Sequence, residues 1–147
     1  MKRVMCCVVV CLMVMLGMSV EGQTANKVAQ VELGSYHSAM IKEDGSLWMW
    51  GWNREGQLGD GTTTNRLVPI KIMENVARVS LGWGHSAAIK TDGSLWMWGY
   101  NSNGQLGDGT TTNRVVPIKI MENVVSVSLG YSHSAAIKTD GSLWMWG

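Results

Sequence analysis

Three histidines, His37, His85 and His133, recur at intervals of 48 residues and are the only ones in the chain. Three imidazoles can hold a zinc ion when they converge to about 2 Å from one point. Each of these, however, occupies the same place in a repeated Gly-x-x-His-Ser-Ala sequence. Repeated units spread such residues around an axis instead of gathering them on one ion. The expected role is structural and between units, with the imidazole hydrogen-bonding backbone at the start of a strand. The serine that follows each histidine, Ser38 in the first copy, completes no nucleophile pair, because neighbours in a strand point to opposite faces. Asp44, Asp92 and Asp140 each precede a glycine. They read as turn formers, the carboxylate bonding its own backbone. Glycoside hydrolysis needs a carboxylate pair at a set separation, and no unique pair stands out.

Gly-Gln-Leu-Gly-Asp-Gly at 56–61 and 104–109 is glycine-rich. It lacks the order of a phosphate loop, and no helix follows to aim its N-terminus at a phosphate. Only Asp60 or Asp108 brings charge to the Thr-Thr-Thr-Asn that follows, too little for a tight calcium site. An active site is normally unique, whereas nearly every polar residue here is duplicated. The chain therefore reads as a non-enzyme: no catalytic residue, metal or cofactor is expected.

The element that carries these residues is a tandem repeat. Val31–Arg78 is repeated at Val79–Ser126 with 37 of 48 positions identical, and 127–147 matches the second copy at 19 of 21. Each copy contains four short strands. Strand one is Ala29–Leu33 with its counterparts Ala77–Leu81 and Val125–Leu129. Strand two is His-Ser-Ala-x-Ile-Lys, closed by an Asp-Gly hairpin turn whose residues tolerate positive φ. Strand three is Ser-Leu-Trp-Met-Trp-Gly, with Trp48 and Trp50 on one face and Leu47 and Met49 on the other. A long glycine-rich loop, Asn53–Arg66 or Asn101–Arg114, leads to strand four, Val-Pro-Ile-Lys-Ile. Pro69 and Pro117 cannot donate to a ladder, so strand four belongs at a sheet edge. No segment has helical periodicity.

Four antiparallel strands in a unit of this length make a β-propeller blade. Gly-x-x-His-Ser-Ala, Asp-Gly-x-Leu-Trp-x-Trp-Gly-x-Asn-x-x-Gly-Gln-Leu-Gly and Arg-x-Val-Pro resemble the repeat of the regulator of chromosome condensation family, over nearly everything after Lys27. The resemblance implies a seven-bladed propeller. The residues after the leader amount to about 2.6 units, whereas closed propellers take roughly 4–8 blades. The expected fold is all-β: blades of four antiparallel strands in an incomplete propeller. It is either a piece of a longer product or one of several chains that complete a ring together.

The first residues are read separately. Lys2 and Arg3 precede an apolar run from Val4 to Val20, and polar residues begin at Glu21. This is the pattern of a signal peptide. The expected division is a leader at 1–22, a lead-in at 23–30, and repeats at 31–78, 79–126 and 127–147. The protein is expected to be secreted or displayed at the cell surface. A membrane enters only if the leader stays uncleaved as an anchor, since a bilayer needs roughly 17–25 apolar residues. Lipidation at Cys11 is disfavoured, because Val8, Val9 and Val10 put no small residue before it. Cys6, Cys7 and Cys11 all fall in the leader, which leaves no thiol for a disulfide or metal site. Without residues 1–22 the basic residues fall from 12 to 10 and the acidic from 11 to 10. A near-neutral chain lacks the basic excess of a nucleic-acid binder.

The copies differ in a few places. Ser35 and Tyr36 in the first become Trp83 and Gly84 in the second and Tyr131 and Ser132 in the third. Trp52, Arg54 and Glu55 become Tyr100, Ser102 and Asn103. In an antiparallel blade the loop between strands one and two and the loop between strands three and four emerge on the same side. Aromatic residues on rigidly held loops are common binding elements. Tyr36, Trp52, Trp83, Tyr100 and Tyr131 are thus the binding candidates. The expected function is an interaction scaffold with a protein partner. The resemblance implies, as the alternative, guanine-nucleotide exchange on a small GTPase. A carbohydrate-binding module is the second alternative, because exposed Trp and Tyr stack on sugar rings.

Overall fold

The computed structural model describes residues 27–147; the leader expected at 1–22, with its three cysteines, lies outside them. Eleven strands and no helix occur among the described residues. β1 (Val28–Leu33), β2 (His37–Lys42), β3 (Leu47–Gly51) and β4 (Arg66–Met73) form the first sheet in that order. β5 (Val76–Leu81), β6 (His85–Lys90), β7 (Leu95–Gly99) and β8 (Arg114–Met121) repeat it. β9 (Val124–Leu129), β10 (Ser134–Lys138) and β11 (Leu143–Trp146) form three strands of a third sheet. The pairings are antiparallel.

The first and fourth strands of the repeat are longer than the sequence pattern predicts. β1 starts at Val28, which pairs with Lys42 across a register shift before Gln30. A bulge of this kind hides the extra residue from a strict two-residue alternation. β4 runs from Arg66, because Arg66 pairs with Gly51 beyond a second shift, and ends at Met73 opposite Leu47. Pro69 does lie in the outer strand of its sheet, where the ladder needs no N–H from it. The Asp44–Gly45 turn also forms as predicted. Gly45 takes φ 78°, and Asp44 Oδ1 accepts from the Ser46 amide at 2.9 Å and the Ser46 hydroxyl at 2.6 Å.

The core lies between sheets, not within any one of them. Leu47, Met49 and Leu58 of the first blade pack with Val79, Leu81 and Trp98 of the second. Ala87, Leu95, Met97 and Leu106 of the second pack with Val124, Val127, Leu129 and Trp146 of the third. Alternation along the strand explains this, since Trp98 faces back toward the first blade while Leu95 and Met97 face forward. The middle blade is therefore covered on both sides. The outer faces of the arc are open: Leu33 is 71% exposed and Met145 66%, where their middle-blade counterparts Leu81 and Met97 are buried. The three sheets form an arc of a propeller that does not close into a ring.

Each turn also bonds the blade that follows. The Val76 amide donates to Gly45 O at 2.9 Å, and the Val124 amide to Gly93 O at 2.9 Å. Asn75 and Asn123, at φ 60° and 61°, make the tight reversal from one blade to the next. Asparagine tolerates this left-handed conformation better than other side chains.

Candidate functional site

The loop between β7 and β8 starts at a glycine whose backbone leaves no room for a side chain. Gly99 has φ +102°, and a Cβ there would sit 2.5 Å from Gly84 O. The chain can thereby turn back over the β5–β6 loop, where the Tyr100 amide donates to Gly84 O at 2.8 Å. In the first blade the Trp52 amide donates to Tyr36 O at 3.0 Å. These bonds join the two variable loops of each blade and bring their side chains together.

The rest of the long loop is organised by one asparagine. Asn53 is fully buried. Its Nδ2 donates to Asp60 Oδ1 (3.1 Å), Thr62 O (3.0 Å) and Thr64 O (3.1 Å), and its Oδ1 accepts from the Leu58 amide (2.9 Å). Asn101 makes the corresponding bonds in the second blade. The carboxylate of Asp60 is paired with Arg66 at 2.6 Å, and Asp108 with Arg114 at 2.7 Å. Burial alone would raise the Asp108 pKa; hydrogen bonds from Thr110, Arg114 and Asn101 outweigh it and hold the carboxyl at about 2.

The loop then reaches the next blade. Gln57 O accepts from Ser86 Oγ at 2.8 Å and from the Trp98 indole at 2.9 Å. Gln105 O does the same for Ser134 and Trp146. The histidines are part of this joint. His37 Nε2 lies 2.8 Å from Ser86 Oγ, and His85 Nε2 lies 3.1 Å from Ser134 Oγ. The role is between blades, as predicted, and Nε2 meets a serine hydroxyl of the next blade. Because Ser86 gives its proton to Gln57 O, the His37 Nε2–H must donate to the serine. His37 Nδ1 is left without a partner. The imidazole is thus a donor to the hydroxyl, the reverse of what a general base for a nucleophile requires. Burial, with the charge of the neighbouring His85 adding to it, lowers the His37 pKa to about 4. Burial likewise lowers His85 to about 4.

The five aromatic candidates meet on one face. Tyr36 and Trp52 are 5.7 Å apart at 63°, and Trp52 and Trp83 are 5.9 Å apart at 64°. Trp83 touches Tyr100 edge-on at 5.5 Å and stacks on Tyr131 at 5.1 Å and 29°. The ladder crosses all three blades. Tyr36 and Tyr131, at its two ends, are 61% and 64% exposed. Tyr36, Trp52 and Trp83 line a concavity of about 360 Å³. The indoles of Trp48, Trp96 and Trp98 donate within the protein. Those of Trp52 and Trp83 have no acceptor among the described residues.

Sequence reasoning missed three members of this site region. Glu55 Oε2 accepts from Asn113 Nδ2 at 2.7 Å and ties the loops of two blades together. Asn53 and Gln57 look like ordinary loop residues in the sequence. The histidines did carry a signal: the His–Ser joint spans one repeat plus one residue, so the repeat already implied a partner one unit ahead.

Stacked four-stranded blades that share cores and carry one aromatic loop face define a β-propeller repeat protein. Two sequence profiles described as the Regulator of chromosome condensation (RCC1) repeat match it, one at 44–89 and 92–137, the other at 28–57 and 76–105. The first covers more than half of the chain, and the chain belongs to that family. It is similar to the ultraviolet-B receptor UVR8 of Arabidopsis thaliana, 46% identical over 46 residues, which are 31% of this chain and 10% of that protein. It is also similar to the X-linked retinitis pigmentosa GTPase regulator homolog of Caenorhabditis elegans, 45% identical over 31% of this chain and 3% of the other. Among solved structures, human WBSCR16 superposes with TM-score 0.77 at 27% identity, covering 86% of this chain and 34% of its own. Prp20p of Saccharomyces cerevisiae, studied for binding to Gsp1p and histones, superposes with TM-score 0.68 at 26% identity, covering 86% and 32%. The chain thus spans a tenth or less of these curated relatives and about a third of these solved structures.

Proposed function

We propose that this protein is a non-catalytic propeller scaffold, exported to the cell exterior, that binds a protein partner through its aromatic loop face. The observation that carries the reading is the ladder itself. Five aromatic side chains from separate loops join across three blades. They occupy positions at which otherwise near-identical copies differ. A rigid scaffold with variable aromatic loops is a common way to build a recognition surface. Tyr and Trp give large contact area at low entropic cost, and Ser, Gly and Asn beside them give adaptable hydrogen bonds. The apolar stretch at Val4–Val20 supports export.

The test compares the full chain with a Trp83→Ser/Tyr100→Ser variant as baits for surface-protein extracts. A partner held by the wild type and lost by the variant is expected. A partner held equally by both sinks the reading. Sequencing the N-terminus of exported product tests the leader, with a start near Gln23 expected.

Likeness to Prp20p favours a second reading, nucleotide exchange on a small GTPase, since the structural study of that protein addresses its binding to Gsp1p. Release of labelled nucleotide from a GTPase, accelerated by this protein, would put that reading first. The open faces of the arc also suit self-assembly into a ring, which native mass measurement tests.

A further inference from the structure

We propose that the aromatic ladder receives an extended proline-rich segment of the partner, with Glu55 meeting a basic residue beside the prolines. The inference rests on the reading of this face as an interaction surface and names what the surface recognises.

Ring geometry decides among the ligands that aromatic residues bind. Trp52 forms a floor, and Tyr36 and Trp83 lean against it at 63° and 64°. Three of the four ring contacts are edge-to-face, so neighbouring rings meet at steep angles along the ladder. Tyr36, Trp52 and Trp83 leave a concavity between them, and a prolyl ring fits such a crevice. Grooves lined by aromatic side chains are the common receptors for proline-rich segments.

Hydrogen bonding points the same way. A polyproline II helix has no internal hydrogen bonds, so its carbonyls are free to accept from a receptor's donors. The Trp52 and Trp83 indoles have no acceptor among the described residues, as is also true of Trp50 in β3, whereas those of Trp48, Trp96, Trp98, Trp144 and Trp146 are engaged internally. The ladder's length also suits an extended chain. Its steps from Tyr36 to Tyr131 measure 5.7, 5.9 and 5.1 Å. A polyproline helix rises about 3.1 Å per residue, so the ladder accommodates at most about five residues.

Charge supplies the direction. Glu55 lies beside Gly84, its Cγ 3.9 Å from where a Gly84 Cβ would stand, next to Trp83 and Tyr100. One carboxylate oxygen is held by Asn113 at 2.7 Å, which steadies the side chain. The second copy has the neutral Asn103 at this position, so the negative charge occurs once along the ladder. A carboxylate held in place beside Trp83 and Tyr100 favours one orientation of a partner with a basic flank. The two loops are already bonded through the Trp52 amide and Tyr36 O, so little ordering accompanies binding.

The experiment selects a random peptide library on the full chain, then measures the enriched peptides by calorimetry. Proline-rich peptides with a lysine or arginine at one end are expected to emerge. Tyr36→Ser, at an exposed position, should weaken them roughly tenfold. Trp52→Ser should weaken them at least as much, with a melting curve to show that it folds. Glu55→Gln should weaken them about threefold and flatten the salt dependence. Enriched peptides without proline, an empty selection, or binding unaltered by Tyr36→Ser would each overturn the proposal. Competition by a glycan or a trimethyl-lysine peptide at the ladder overturns the proline reading but leaves the face an interaction surface. Loss of the face reading itself shows separately, as equal retention of the partner by the Trp83→Ser/Tyr100→Ser variant.

Discussion

Asn53→Ala should cost this protein about 3 kcal/mol and melt the long loop of the first blade. The side chain is fully buried and makes four hydrogen bonds, three as donor and one as acceptor. Alanine strands the amide of Leu58, itself fully buried, and an unmet buried N–H costs about 1–3 kcal/mol. The carbonyls of Thr62 and Thr64 lie on a more exposed stretch, where water recovers part of their loss. Asp60 keeps Arg66 and Thr62 as partners. A total near 3 kcal/mol lowers the melting temperature of a domain this size by about 10 °C. The damage should also cross to the next blade, because Gln57 O of the same loop holds Ser86 and Trp98. Trp98 is the one fully buried tryptophan among the described residues, so iodide quenching should reach a previously protected indole. Amide exchange should rise across 56–61 and around Trp98 together. A variant that melts within about 2 °C of wild type, with exchange unchanged at Trp98, would refute the view that this asparagine organises both loop and joint.

Acid should begin to weaken the folded state at pH near 6.5, above the ordinary carboxylate range. His37 and His85 are held at about 4 by burial, against an ordinary value near 6.5. The unfolded chain therefore takes up protons first as pH falls. The stability contributed by neutral histidine is complete above about 6.5 and is lost between there and about 4, at up to about 3 kcal/mol per histidine. Urea midpoints at pH 7.5 and 5 check this, and equal midpoints would contradict it. Ser86→Ala leaves the His37 N–H and the Gln57 carbonyl without their shared hydroxyl. A loss of about 2 kcal/mol is expected in equilibrium denaturation, and an unchanged midpoint would mean that the joint contributes nothing.

Much of the fold was legible because a repeat states each rule more than once. The Asp-Gly turns, the edge position of Pro69 and the two-sided burial of strand three follow from local chemistry and alternation alone. Strand ends were less legible, since the bulge before Gln30 and the register shift after Met49 break the alternation that marks a strand. For the loop face, antiparallel order was enough to put Tyr36 beside Trp52 within a blade. It did not specify that Trp83 would bridge neighbouring blades, because that contact depends on the angle between sheets. The histidine joint was legible in kind but not in partner. A serine one blade ahead is separated by a whole repeat, and its hydroxyl competes with nearby backbone that a sequence cannot place. Asn53 carried no signal of its own, because an asparagine in a glycine-rich loop most often serves a turn.

The forward reach of Gln57 toward Ser86 and Trp98 has an evolutionary consequence. Every residue that makes the joint (histidine, serine, glutamine and tryptophan) is the same in the first two copies and, as far as 147, in the third. Any copy can therefore follow any other without losing this joint. Unequal recombination between near-identical stretches of the gene can add or remove a blade in frame, and the new junction keeps the same histidine, serine, glutamine and tryptophan. Copy number becomes a quantity that selection can adjust in single steps. The aromatic face, where the copies do differ, is reshuffled with each event.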